Sequence, residues 1–297
     1  MNKLLIYPMA LTFLHFDFAG TDESAFCINW RKETKGVFII VVIGVEALLT
    51  FVLGAVVGSF LNVCIWRIPE GMSIIAPASH CPSCGHPIRF YDNIPLVSYL
   101  ILRGRCRACG TRISLRYPFV EVLTAVMALL VYWKFGLTLK FLAAFIFVSA
   151  LILITFIDID HQIIPDVITL PGIPICFCMA IFIMKLSFME ALLGVLIGGG
   201  SLYLIALIYE LVTKREGMGG GDIKLLALLG AFLGWKSLLF ILLVSSLVGA
   251  VVGISVMMIK GSDMKYAVPF GPFLSFAAVA YLFVGEYAVN LLLYHQL

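Results

Sequence analysis

Two short stretches bring carboxylates to the edge of apolar runs. The first is Asp158-Ile159-Asp160-His161-Gln162-Ile163-Ile164-Pro165-Asp166, which follows one apolar segment. The second is Gly217-Met218-Gly219-Gly220-Gly221-Asp222-Ile223-Lys224, which precedes another. Carboxylates are costly beside hydrocarbon and usually have a role there. Asp158 closes an unbroken apolar run, and Asp222 follows three consecutive glycines. Paired aspartates hydrolyse an amide without a metal: one takes a proton from water and the other donates a hydrogen bond to the scissile carbonyl. Two carboxylates in contact do not both ionise, so such a pair holds one proton and titrates as a unit. Glycines let backbone approach closely, here a locally unwound substrate strand laid against the loop. A helix C-terminus disfavours negative charge and an N-terminus favours it. That makes Asp222 the initial base for water and leaves Asp158 with the shared proton. The other acidic groups read differently. Asp166, after Pro165, supports the start of a helix through its dipole or orients substrate. Asp160 and His161 read as loop residues, and Glu121 is a weaker functional candidate.

A second constellation is built from sulfur. Cys81-Pro82-Ser83-Cys84-Gly85 and Cys106-Arg107-Ala108-Cys109-Gly110 form two pairs, with twenty-one residues between Cys84 and Cys106. The two-residue spacer points both sulfurs of a pair at one ion, and the glycine permits the tight turn behind it. Cys81, Cys84, Cys106 and Cys109 therefore predict a structural zinc site, whose four thiolates leave no open position for metal catalysis; a redox pair or an iron centre is the alternative. Arg103, Arg105, Arg107 and Arg112 surround the second pair. They read as a solvated basic face, and no nucleic-acid partner is expected. Cys27, Cys64, Cys176 and Cys178 lack such spacing and are expected to be buried small apolar side chains.

These groups must be positioned by elements suited to lipid. Of 297 residues, 62% are apolar and 12% are charged, against about 25% charged in an ordinary soluble chain. Mean hydropathy is +1.08. An ordinary soluble enzyme, a disordered chain and a secreted disulfide scaffold are excluded, and the net charge of +3 gives no nucleic-acid signal. Runs of about 20 apolar residues span a bilayer as helices. Eight such segments are expected, near 38–66, 117–133, 138–157, 166–184, 189–212, 223–235, 237–259 and 270–294. Residues 4–19 are also apolar but are not expected to span. The predicted organisation is an N-terminal tail (1–36), a first transmembrane helix (37–66), a small tetra-cysteine domain (67–116) and a seven-helix membrane core (117–297). The fold class is thus an all-α polytopic membrane protein of about eight transmembrane helices. Residues 67–116 carry seven arginines, which by the positive-inside rule puts this domain and both aspartates on the cytoplasmic side. Gly54, Gly58 and Gly198-Gly199-Gly200 read as helix-packing surfaces.

Taken in order, several blocks closely resemble the type IV prepilin peptidases, the bifunctional leader peptidase and N-methyltransferase family. They are Gly58-Ser59-Phe60-Leu61-Asn62-Val63, the two cysteine pairs, Asp92-Asn93-Ile94-Pro95, Leu102-Arg103-Gly104-Arg105-Cys106 and Ile113-Ser114-Leu115-Arg116-Tyr117-Pro118. Asp158 through Ile164-Pro165-Asp166 and Gly219-Gly220-Gly221-Asp222-Ile223-Lys224 complete the set. The last carries the Gly-x-Gly-Asp signature shared with presenilin-type intramembrane aspartyl proteases. The resemblance implies a bacterial inner-membrane enzyme. It would cut the basic leader of type IV prepilins and pseudopilins after a glycine, then methylate the new N-terminus with S-adenosylmethionine. In the family pattern the catalytic aspartates map to Asp158 and Asp222. No glycine-rich nucleotide fold fits within 67–116, so the methyl-donor site must use this domain and neighbouring helix ends, with Gly104 and Arg105 as its candidates. Residues 1–36 depart from the family pattern. An ion- or proton-coupled transporter, with helices broken near Gly172–Pro174 and Gly198–Gly200, is the alternative reading.

Overall fold

The computed structural model describes residues 23–214, 219–260 and 269–294. The apolar 4–19 stretch, the rest of the tail to residue 22, and Gly217 and Met218 lie outside them, as do the side chains of Cys27 and Glu286. The chain divides into two units at residue 46. Of the first, residues 23–46 are helical. The second begins at Ala47 and contains both sites described below.

Nine α-helices occur among the described residues: α1 (Glu23–Arg67), α2 (Val97–Ile101), α3 (Arg116–Phe135), α4 (Leu139–His161), α5 (Asp166–Phe182), α6 (Phe188–Thr213), α7 (Gly220–Leu233), α8 (Trp235–Lys260) and α9 (Gly271–Tyr294). No strand is present among those residues, only two isolated bridges, His80 with Pro87 and Arg105 with Arg112. The all-α membrane architecture follows from composition, because in lipid every backbone polar group must be satisfied within the segment. Five helical stretches are long and apolar enough to cross a membrane: Gly44–Arg67, α3, α4, α6 and Trp235–Ile259. Asp166–Phe182 and Gly271–Gly285 are shorter apolar helices. With α7, these account for the eight apolar segments of the sequence.

Local signals set the ends. Thr138 caps α4 by accepting from the Phe141 N–H, and Ser187 caps α6 by accepting from the Glu190 N–H at 3.2 Å, with the Glu190 carboxylate accepting back from the Ser187 hydroxyl. Gly136 and Gly234 end α3 and α7 with positive φ. One boundary departs from expectation. Asp160 and His161 belong to the last turn of α4, which ends at Gln162 in a left-handed conformation. The extra turn is held by an ion pair from Arg116 to Asp160, and the Arg116 guanidinium also lies over the Phe156 ring. The helix breaks near Gly172–Pro174 and Gly198–Gly200 that the alternative reading would use are absent: α5 continues through Pro171 and Pro174, and α6 is continuous. Proline is tolerated in membrane helices where neighbours re-satisfy the freed carbonyls.

The core sits around α4 and α7. Two-thirds of the apolar window of α4 is buried (67%), against 11% for α8, so α4 is interior and α8 peripheral. Phe147 of α4 stacks on Phe232 of α7 at 4.2 Å between ring centroids. At 14 residues, α7 is about 21 Å long, short of the roughly 30 Å hydrocarbon core. Every residue from Leu225 to Phe232 is buried by other helices. The α6–α7 contact is built on glycine. Gly194 and Gly230 face one another so closely that a Cβ on either would strike the other's carbonyl, and a Cβ at Gly198 would sit 2.6 Å from the Leu226 oxygen. Gly54 and Gly58 pack in the same way against Ala125 and Glu121 of α3. Gly199 meets Ala227, whereas Gly200 faces open space and is not a packing contact. Cys64 and Cys176 are buried as expected, but Cys178 is exposed, on a face of α5 left open by its neighbours.

Candidate active site

The ends of α4, α5, α7 and α9 meet on the side of the bundle where the cysteine segment joins α3. Asp158, in the last turn of α4, is 5% exposed, and its Oδ2 accepts a hydrogen bond from the Gly271 N–H at 3.0 Å. Gly271 is the first residue of α9, so a helix N-terminus is aimed at this carboxylate. Asp222 lies in the first turn of α7, directly after Gly221. Ile164, in the turn after α4, wedges between the two helix starts. A Cβ at Gly221 would lie 2.8 Å from Ile164 Cβ, and one at Gly271 would lie 3.2 Å from Ile164 Cδ1 and 2.6 Å from Asp158 Oδ2. Glycine at 221 and at 271 is therefore what lets the two acid-bearing helix ends close on each other.

The remaining acids of this region are neutralised. Asp160 pairs with Arg116, and Asp166 accepts from Lys224 Nζ at 2.5 Å. The second pair ties the start of α5 to the start of α7, which is how Asp166 supports the site without entering it. Among the described residues neither Asp158 nor Asp222 forms an ion pair with a cation. The sequence reading missed Gly271 and Ile164. The only signal for Gly271 was Pro269-Phe270-Gly271-Pro272, a helix break placed directly before the last apolar run.

The cysteine segment carries a second centre. The Cys81, Cys84, Cys106 and Cys109 sulfurs all lie within 4.8 Å of one another. Cys81 Sγ and Cys109 Sγ are 3.8 Å apart, the edge length expected of a tetrahedron with metal–sulfur bonds of about 2.3 Å. The two knuckles repeat one pattern. Gly85 and Gly110, both at positive φ, donate to the Cys81 and Cys106 carbonyls, while the Cys81 and Cys106 N–H groups donate to His86 and Thr111. The Thr111 hydroxyl, 3.2 Å from Cys109 Sγ, and the Thr111 backbone hold that thiol down to about 6. The His86 backbone hydrogen bond lowers Cys84, but desolvation and the crowding of its neighbouring sulfurs outweigh it and push that thiol up to about 11. Four sulfurs packed this closely shed their last protons only to a cation, and the donor set fits a thiophilic divalent metal.

The segment is tied to the helices by polar contacts. Arg67, at the end of α1, donates to the Ser73 and Pro77 carbonyls at 3.0 and 2.8 Å. Asn62 donates to the Tyr117 carbonyl, and Glu121 accepts from the Leu96 N–H at 2.8 Å. Arg107 grips Asp92 through two nitrogens, and these hydrogen bonds hold the Asp92 carboxyl below the usual carboxylate range. Gly104, at positive φ, packs under the Tyr99 ring and donates to the Tyr99 carbonyl. Arg105 is exposed and bridges to Arg112. Both positions shape the base of the second knuckle.

Comparison with known proteins matches these two regions separately. A model described as the bacterial peptidase A24 N-terminal domain covers residues 52–135, and one described as the type IV leader peptidase family covers 145–254. The prepilin leader peptidase/N-methyltransferase of Pseudomonas putida is 40% identical over 82% of this chain and 93% of its own length. The protein of the same description from Myxococcus xanthus is 45% identical over 72% of this chain and 64% of its own length, and that from Pseudomonas aeruginosa 39% over 80% and 90%. The chain belongs to the prepilin leader peptidase/N-methyltransferase family. No solved structure matches it. Family membership and unbroken α5 and α6 leave the transporter reading without support. Within the family frame, the leader peptidase match spans both Asp158 and Asp222, and the N-terminal match encloses all four cysteines.

The contact at Gly271 makes one variant informative. Gly271→Ala places a methyl group 2.6 Å from Asp158 Oδ2, where one of the two groups must move. Misplacing a reacting group by about 1 Å costs on the order of 10²-fold in rate. Cleavage by Gly271→Ala is expected to fall by about that factor with no change in the amount of protein in the membrane. Cleavage at the parent rate would show that the Gly271 contact does not position Asp158.

Proposed function

We propose that this protein is a prepilin leader peptidase and N-methyltransferase whose cleavage chemistry is carried by Asp158 and Asp222. The observation that supports this most directly is that Ile164 packs against both Gly221, the residue before Asp222, and Gly271, whose N–H serves Asp158, while Asp160 and Asp166 are each held by a cation. Asp222, at a helix N-terminus, takes a proton from water. The water oxygen adds to the scissile carbonyl, and the protonated Asp158 hydrogen-bonds to the oxygen of that carbonyl as negative charge develops there. Collapse of the tetrahedral intermediate breaks the C–N bond, and the departing amine takes up a proton from the pair. The substrates are type IV prepilins or pseudopilins, cut after a glycine that ends a short basic leader. The new N-terminal amine is then methylated with S-adenosylmethionine as donor.

Cys81, Cys84, Cys106 and Cys109 hold zinc, which when bound supplies a closed tetrahedral staple for the segment between α1 and α3. The enzyme resides in the bacterial inner membrane, with this segment and the aspartates on the cytoplasmic side. There the basic residues of 67–116 satisfy the charge bias of membrane insertion.

The deciding experiment incubates one matched prepilin with the purified protein in detergent and S-adenosylmethionine, followed by mass spectrometry. It reports the cut position and the mass gain of one methyl group together. Cleavage after the leader glycine and methylation of the new N-terminus are expected. An intact precursor after prolonged incubation with metal-replete protein would overturn the reading.

A further inference from the structure

A cavity of about 460 Å³ lies between the end of α1, the cysteine segment and the start of α3. It falls within the roughly 300–1,000 Å³ typical of small-molecule sites. It is separate from the aspartate site: none of Asp158, Asp222 and Gly271 lines it. Two charged side chains in its wall are buried, Arg67 at 4% and Glu121 at 8% exposed. Among the described residues Arg67 is satisfied by the neutral carbonyls of Ser73 and Pro77. Among the described residues Glu121 is satisfied by the Leu96 N–H and the Ser59 hydroxyl. Neither has a counter-ion among the described residues, and they do not pair with each other. The wall also carries Arg112 and the Asp92–Arg107 ion pair, all outside the buried set. Burying a charge without a counter-ion is expensive, so a cavity whose two buried charges are of opposite sign is complementary to a ligand that brings both. The aromatic residues Trp66, Tyr99 and Tyr117 also line the cavity and suit a flat heterocycle.

We propose that this cavity binds the methyl donor, with Arg67 facing the carboxylate of S-adenosylmethionine, Glu121 its positive charge, and the aromatic wall its adenine. The assignment rests on the methyltransferase half of the proposed function and gives that activity a location. It moves the donor away from Gly104 and Arg105, neither of which lines the cavity. In the transfer the lone pair of the neutral terminal amine attacks the methyl carbon. The new N–C bond forms as the C–S bond breaks, sulfur keeps the electron pair as a neutral thioether, and the methylated amine releases a proton to water. Glu121 therefore acts mainly on donor binding, because the positive charge it faces weakens as the reaction proceeds. A second cavity, of about 550 Å³, shares Ser59, Val63 and Arg67 with the first and continues along the exposed Val56–Phe60 face of α1. An acceptor whose apolar body stays in the membrane can present its N-terminus to the donor across that shared wall.

The test uses the purified full chain, tritiated S-adenosylmethionine, equilibrium binding and ultraviolet photolabelling with peptide mapping. Glu121→Gln keeps an oxygen that can accept from Leu96 and Ser59 but removes the charge. It is expected to weaken donor binding by at least about tenfold, with bound metal per chain equal to the parent. In the parent, label is expected on peptides containing Trp66, Tyr99 or Tyr117. Parent affinity in Glu121→Gln, or label confined to peptides from α4–α9, would overturn the assignment while leaving the methyltransferase reading intact. If the parent neither binds donor nor adds a methyl group to a cleaved precursor, that reading itself fails. Should Glu121→Gln lose metal, the label map in the parent decides alone.

Discussion

Asp222→Asn is expected to lower the rate of precursor cleavage by about 10³-fold or more, and Asp158→Asn by a comparable factor. The double variant is expected to be no slower than either single one, because two groups that share one proton act as a unit and their losses do not add. Asparagine matches aspartate in size, and its carbonyl oxygen can still accept from the Gly271 N–H that Asp158 Oδ2 now accepts. The helix ends therefore keep their positions, and the variants are expected in the membrane at parent levels. The contrast is with the two neighbouring acids. Asp160→Asn and Asp166→Asn remove partly exposed ion pairs, each worth about 0–1 kcal/mol, and are expected to alter cleavage by a few-fold at most. Rates measured on purified protein with one precursor separate the classes. Retained processing by either Asp158→Asn or Asp222→Asn would remove that residue from the chemistry. A collapse with Asp160→Asn as deep as with Asp158→Asn would mean that the wrong pair has been singled out.

The second large effect is expected at the cysteine cluster. No large apolar side chain between residues 68 and 115 is buried; the residues buried there are Cys81, Ser98 and Gly104. A segment without an apolar core depends on another source of folding energy, and structural zinc supplies about 10–16 kcal/mol in small cysteine-ligated domains. Cys106→Ser is expected to abolish stoichiometric metal binding and, with it, methylation. Cleavage is expected to persist within a few-fold, because α4, α5, α7 and α9 pack without help from this segment. Mass spectrometry of one precursor would then show a cut but unmethylated product, and removal of metal by a chelator should reproduce it. Full methylation by metal-free protein, or loss of both activities together, would contradict this division of labour.

Much of this molecule was legible in its residues because the informative signals are local. Lipid demands long apolar runs, so eight apolar segments could be placed on helices α1 and α3–α9, although α1 begins at Glu23, well before the expected start near residue 38. Cys-x-x-Cys-Gly repeats carry their own geometry, since the two-residue spacer and the positive-φ glycine make the same knuckle wherever they occur. The acids Asp158 and Asp222 stood out because charge beside hydrocarbon is costly whatever the fold. What the chain order could not convey is which distant groups meet. Gly271 lies 113 residues from Asp158, and only the folded bundle shows that its N–H serves that carboxylate. Arg116 with Asp160, and Lys224 with Asp166, sort four acids into two that are neutralised and two that are not, and no spacing rule contains that information. The same holds for Cys178, which sequence alone consigned to the interior and the helix arrangement leaves exposed, and for Arg67 and Glu121, whose shared cavity exists only once α1, α3 and the cysteine segment are assembled. Local backbone preference and transfer from water to lipid act on neighbours in the chain. Charge pairing and close backbone approach act through space, and space is what folding supplies.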